Sequence, residues 1–300
     1  MASKYKSLAA LGLSTTLLGG LVACGNEVET TPAPTETAAV EDTDTAATQT
    51  PDAQTDTSSY AMSGGEGEGE GGEGEGGEGE GGEGGVDLAA ASQDPAVYRS
   101  ALAMTEAHIR AGIDALDAGE RRAAGEMFAH PVSEILLDFE PVLVQQGVEP
   151  FAQKLSDASA AVFAEESAED LRARAEDIIA TLRAAAEKAP EGSDSEAVVE
   201  AKVIADQINR ATAQYDSATR TDAYEPYLDG YGFYSTASAL LNDHRAEIEA
   251  DAPEFAEQAD AVLAILADAY PTADRPETLE ADQSAMTVGN SELQLIVSGL

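Results

Sequence analysis

The chain has 300 residues with 57 acidic and 16 basic side chains, a formal charge of -41 and no tryptophan. Binding to nucleic acid and docking to anionic lipid headgroups both depend on clustered lysine and arginine, so this composition argues against both. The charge is uneven along the chain, with 16 acids and 2 bases in residues 1–86 and 41 acids and 14 bases in residues 87–300. The second segment is long enough to bury a sizeable core.

The first residues have the layout of an export signal. Lys4 and Lys6 precede an apolar stretch over 8–21, which is too short and too rich in small residues for a spanning helix. Leu21-Val22-Ala23-Cys24 follows and contains the only cysteine of the chain. An ordinary signal peptide with a chance cysteine near its cleavage site is the alternative interpretation.

The segment Leu21-Val22-Ala23-Cys24 closely resembles the bacterial lipobox. This resemblance implies that the signal peptide, residues 1–23, is removed and that Cys24 is acylated. Two or three acyl chains anchor a protein stably in a lipid bilayer. In Gram-negative bacteria, Gly25 and Asn26 would not act as an inner-membrane retention signal, so we expect a cell-envelope protein on the outer membrane facing the periplasm.

Residues 24–86 are predicted to form a disordered tether. They contain few large apolar side chains, and residues 64–85 consist of 14 glycines and 8 glutamates. Such low-complexity segments bury too little surface to offset the entropy of ordering, and their charges repel one another. A flexible chain of about 60 residues has an r.m.s. span of roughly 45 Å. We therefore expect the tether to hold the rest of the protein away from the lipid surface.

Residues 87–300 follow a helical period and are predicted to be all-α. Connections of two to six residues favour an antiparallel helical bundle, or two fused bundles, of about seven to nine helices. Asp94 and Pro95 begin the first clear helix, which Gly119 ends. The pair His130-Pro131 is expected to break a later helix, and a last short helix is expected over 291–297.

The strongest candidate site is a row of side chains that begins at His130. At helical spacing Glu134 and Asp138 share a face with this histidine. An imidazole with two carboxylates suits zinc, manganese or iron, so these residues, with His108, are candidate ligands for a divalent or iron-type metal. The alternative interpretation is that His130 caps a helix and that both carboxylates are solvated.

A second candidate is a row of tyrosines. Tyr224, Tyr227, Tyr231 and Tyr234 step by three, four and three residues and therefore share one helix face. Tyrosine combines a large apolar area with a polar tip, which suits a groove for a protein or small-ligand partner. Core packing with the hydroxyl groups at the rim is the alternative.

Nothing in the sequence assembles a nucleophile with a base, so we expect a non-catalytic lipoprotein whose helical domain binds a ligand or partner. The exported helical domain, with a histidine and a glutamate near its start, also resembles the imelysin-like periplasmic proteins. That family carries a GxHxxE motif, whereas here three residues separate His130 from Glu134 and no glycine stands two before the histidine. The resemblance implies periplasmic handling of iron-type metals as the alternative function.

Overall fold

The computed structural model describes residues 85–300, and these form helices without any β-strand among them. The predicted all-α class is therefore confirmed for this part of the chain. The predicted signal peptide and the tether up to residue 84 lie outside the described residues. The helices are α1 (Leu88–Ala91), α2 (Pro95–Ala118), α3 (Arg121–Pro131), a π-helix (Val132–Leu136), α4 (Leu137–Gln145), α5 (Ala152–Phe163), α6 (Ala168–Ala186), α7 (Glu196–Thr219), α8 (Glu225–Asp251), α9 (Pro253–Ala269) and α10 (Gln283–Val297).

Local capping signals determine where several helices begin and end. The carboxylate of Asp94 accepts a hydrogen bond of 2.8 Å from the N–H of Ala96 at the start of α2. The same helix ends at Gly119, whose φ of 91° is readily adopted only by glycine. Ser167 caps α6 by accepting from the N–H of Asp170 at 3.2 Å. The two ends of α2 agree with the sequence prediction.

The predicted helix break at His130-Pro131 was wrong. Proline has no N–H, and its ring crowds the carbonyl group four residues earlier, so a regular α-helix cannot pass through Pro131 undisturbed. The backbone instead widens into the π-helix, where the N–H of Leu137 donates to the carbonyl oxygen of Val132, five residues earlier. The chain therefore remains helical from residue 121 to residue 145.

Helix α2 lies at the centre of the domain. It packs against α3, α6, α7 and α8, and every residue from Ala101 to Ile109 is buried. A helix that is covered on all sides in this way belongs to a core. Two buried positions in the run are charged or titratable, Glu106 and His108. Glu106 is paired with Arg110 at 2.7 Å and with Arg183 of α6 at 3.0 Å, which provides the compensation that a buried charge needs.

The remaining helices are arranged around the α7–α8 pair. These two long helices pack extensively on each other, and the short link over 220–224 makes them antiparallel. Helices α9 and α10 pack against this pair. Helix α10 begins at Gln283, eight residues before the predicted start, because Asp282 caps it by accepting from the N–H of Ala285 at 3.0 Å. Within the part of the chain described, no helix is sufficiently long and apolar to cross a membrane.

Candidate metal centre

Two histidines and a glutamate from three separate helical segments lie close together in the structure. His108 lies in the middle of α2, His130 in the last turn of α3, and Glu134 in the π-helix. Each offers one metal-ligating atom, and these atoms all lie within 4.8 Å of one another. The His108 Nε2 atom is 3.8 Å from Glu134 Oε2, and the His130 Nδ1 atom is 4.0 Å from Glu134 Oε1. The structure thus brings together three of the four candidate metal ligands.

His108 is held in an orientation that suits metal binding. Its ring is buried, and its Nδ1–H group donates a hydrogen bond of 2.8 Å to the carbonyl oxygen of Met104. This bond places the proton on Nδ1 and leaves the Nε2 lone pair available to a ligand. The pKa of His108 is lowered to about 4, mainly by burial; the Met104 bond opposes this effect, and the charges of His130 and Arg210 add to it. The imidazole is therefore neutral at pH 7, the form that binds metals.

The π-helix explains why Asp138 does not join the group. A row of residues at positions i, i+4 and i+8 stays aligned only while the helix keeps its regular period. The wider turn between Val132 and Leu136 changes the register after Glu134. Asp138 is exposed and lies outside the cluster formed by His108, His130 and Glu134. Only the first two members of the predicted row therefore reach the site.

Helix α8 brings two further carboxylates to the histidines. The Oε1 atom of Glu225 is 3.6 Å from His130 Nδ1, and the Oδ1 atom of the buried Asp229 is 3.8 Å from His108 Nε2. These acids are four residues apart and share a helix face. The sequence prediction did not include them, because similarly spaced acids are common in a chain with 57 acidic residues.

A cavity of about 190 Å³ adjoins the cluster. Helix α7 contributes Arg210 and Gln214 to its wall, and α8 contributes Phe233, whose ring lies edge-on to His108 with the ring centroids 5.9 Å apart. The complete lining is Met104, His108, Glu134, Arg210, Ala213, Gln214, Asp229 and Phe233. The site therefore combines protein ligands with space for a small molecule.

The donor set fits a first-row transition metal. Imidazole nitrogens and carboxylate oxygens bind zinc, iron and copper, and two histidines with one carboxylate can leave coordination positions open. Ligand atoms about 2.1 Å from one ion lie roughly 3–4 Å from each other. The histidine–carboxylate distances of 3.6 to 4.0 Å are in this range.

The predicted tyrosine face is turned largely into the protein. Tyr227 is fully buried, and Tyr231 and Tyr234 are partly covered. Tyr227 and Tyr234 both contact Tyr270 at the end of α9, with ring centroids 5.3 and 6.2 Å apart respectively. Tyr224 precedes α8 at its N-cap position. The spacing of Tyr227 and Tyr234 thus reflects packing of α8 against Tyr270.

The hydroxyl groups of three of these tyrosines bond within the chain. Tyr224 donates to the carbonyl oxygen of Ala273, Tyr227 to that of Thr272, and Tyr231 to the carboxylate of Asp114, at 2.7 to 2.8 Å. Burial raises the pKa of Tyr231, and its hydrogen bond with Asp114 raises it further, so the hydroxyl remains a donor at neutral pH. These three hydroxyl groups are therefore engaged within the chain.

The third histidine lies elsewhere in the domain. His244 of α8 has its Nε2 atom 3.7 Å from Glu200 and its Nδ1 atom 3.5 Å from Glu247. It lies outside the group of His108, His130 and Glu134. His244 is thus a suitable control position for experiments on the cluster.

Together, the fold and the cluster define an all-helical domain with a candidate metal centre of two histidines and one carboxylate. Comparison of the chain with protein-family models, with curated proteins and with solved structures gave no match.

Proposed function

We propose that this protein is a lipid-anchored protein of the cell envelope whose helical domain binds a divalent or iron-type metal ion. The observation that carries the proposal is the meeting of His108, His130 and Glu134, with ligand atoms within 4.8 Å of one another. Metal handling was the alternative function in the sequence prediction. The geometry favours it over a partner-binding tyrosine face, whose hydroxyl groups are mostly engaged inside the chain.

The electrostatics of the cluster support cation binding. Three carboxylates, those of Glu134, Glu225 and Asp229, lie within 4.0 Å of an imidazole nitrogen. Carboxylate oxygens attract a cation, and the buried imidazole of His108, with its pKa lowered to about 4, supplies a nitrogen ligand without first losing a proton. The role we propose is binding or carriage of the ion, without a catalytic step.

The proposed anchor rests on the resemblance of Leu21-Val22-Ala23-Cys24 to the lipobox. Acylation of Cys24 would make the lipid bilayer a partner of the protein, and the acidic segment 25–86 would separate the helical domain from the membrane surface. For a Gram-negative cell, Gly25 and Asn26 favour the outer membrane, facing the periplasm. The metal site would then collect ions within the envelope.

Added metal should raise the unfolding temperature of the purified protein. A ligand that binds only the folded state at 100 times its Kd stabilises that state by about 2.7 kcal/mol, which corresponds to roughly 5–10 °C for a domain of this size. We expect zinc to produce this shift in the wild type and in His244→Ala, but not in His130→Ala. Equal zinc-induced shifts in both variants would contradict the proposed site, as would no shift in the wild type.

Replacing Cys24 should release the protein from the membrane. In a Cys24→Ala variant no thiol remains to accept a lipid, so we expect no acylation and recovery in the soluble fraction. Mass spectrometry and membrane fractionation of the producing bacterium measure both effects, with the wild type as the acylated, membrane-bound control. A wild-type chain that carries no lipid would overturn the proposed anchor and leave the metal site untouched.

A further inference from the structure

We infer that the metal ion is bound together with a small chelating carboxylate anion, which Arg210 holds in the adjoining cavity. This inference rests on the proposed metal site and specifies its ligand as an ion–anion complex. The observations that carry it are the incomplete set of protein ligands, the size of the cavity and the position of the arginine.

The protein supplies too few ligands to enclose an octahedral ion. His108, His130 and Glu134 form the group, and Asp229, 3.8 Å from His108 Nε2, and Glu225, 3.6 Å from His130 Nδ1, add up to two further donors. Octahedral coordination therefore leaves one or two positions to be filled by water or by another molecule. His108, Glu134 and Asp229 also line the cavity, so a molecule held there would lie next to the ion.

The cavity has room for more than a single water molecule. Its volume is about 190 Å³, whereas one water molecule in the liquid occupies about 30 Å³. A small dicarboxylate fits this space. Phe233 and Met104 form the apolar part of its wall.

Arg210 provides the anion-binding group on this wall. It is the only cationic side chain among the residues that line the cavity. Its Nε–H group donates to Asp206 at 3.0 Å, which steadies the guanidinium group. A guanidinium group binds a carboxylate through two parallel hydrogen bonds. Gln214, one turn further along α7, lines the same cavity and adds an amide donor.

Metal and anion should bind together. Without a cation, the carboxylates of Glu134 and Asp229 on the cavity wall repel an entering anion. A bound ion reverses this local charge and offers coordination positions. Anion binding is therefore expected only when the metal is present, which distinguishes this site from a simple arginine–anion contact.

The test measures the zinc and the radiolabelled oxalate retained by the full chain in equilibrium dialysis. We chose zinc because its oxidation state does not change and because its filled d shell imposes no preferred geometry, so it can accept more than four ligands when a chelating anion is present. The wild type should hold one oxalate per bound zinc and almost none without zinc. Arg210→Gln should retain zinc but at least ten-fold less oxalate. Arg220→Gln is the matched control, because Arg220 directly follows the same helix and has the same type of pair, with Asp216; its oxalate retention should equal that of the wild type.

Three outcomes would overturn the inference. Zinc bound by the wild type without oxalate would reject the anion and leave the metal site intact. Equal oxalate retention in Arg210→Gln and the wild type would reject the role of Arg210. Absence of bound zinc in the wild type would reject the proposed metal site as well, so the failure of the two proposals can be told apart.

Discussion

Replacement of Glu134 by glutamine should weaken metal binding at least about 100-fold. Glutamine keeps the size of the side chain but removes the negative charge that a transition-metal ion requires from its carboxylate ligand. Glu134 is the member of the cluster that lies close to both histidines, at 3.8 and 4.0 Å. Removal of the Glu134 carboxylate therefore affects the whole site. Isothermal titration of the purified protein with zinc measures the change in Kd.

Asp138→Asn is the matched control for this experiment. The regular helical spacing from His130 to Glu134 and Asp138 predicts that replacing either acid weakens zinc binding to a similar extent. The π-helix predicts that only Glu134 matters, because Asp138 is exposed and outside the cluster. We expect the affinity of Asp138→Asn to stay within about two-fold of the wild type. An equal loss of zinc affinity in Glu134→Gln and Asp138→Asn would contradict the geometry of the site.

Replacement of Gly232 by alanine should destabilise the domain by at least about 3 kcal/mol, the upper end for overpacking of a core position. A Cβ atom at this position of α8 would lie 2.4 Å from the carbonyl oxygen of Ala107 in α2. The obstacle is backbone, so rotation of a side chain cannot relieve it and the two helices must separate. Thermal unfolding should show a decrease of roughly 10 °C.

Gly125→Ala is the corresponding control. A Cβ atom at position 125 would lie 2.6 Å from the ring of Phe163, which is largely exposed and can rotate away. We expect little change in its unfolding temperature, because alanine also favours the helical state over glycine. The displaced peptide in Gly232→Ala adjoins His108, so this variant should also bind zinc less tightly. An unchanged unfolding temperature in Gly232→Ala would contradict the close α2–α8 contact.

Signals that act within a few residues made much of the fold predictable. Asp94 and Gly119 define the two ends of α2, because a capping carboxylate and a left-handed glycine need no distant partner. The behaviour of Pro131 was not predictable in this way. Proline disfavours a regular helix, but the tertiary packing of α3 and α4 keeps the chain helical through a π-turn.

The site was only partly predictable for a related reason. His130 and Glu134 were found from their spacing, and His108 from its residue type and position on an apolar helix. That the three meet is a tertiary property, produced by the packing of α3 and the π-helix beside α2. Asp229 had no distinguishing pattern in so acidic a chain. The tyrosine row had a clear pattern, but its partner Tyr270 lies 36 residues beyond the last tyrosine of the row and is not apparent from the spacing.

The metal content of the purified wild-type protein tests most directly whether His108, His130 and Glu134 bind a metal ion. The protein is loaded with zinc or iron, dialysed against metal-free buffer and examined by elemental analysis. We predict one metal ion per chain in the wild type and in His244→Ala, and less than about one tenth of this amount in His130→Ala. A wild-type protein that retains no metal, or a His130→Ala variant that retains as much metal as the wild type, would contradict the proposed metal centre.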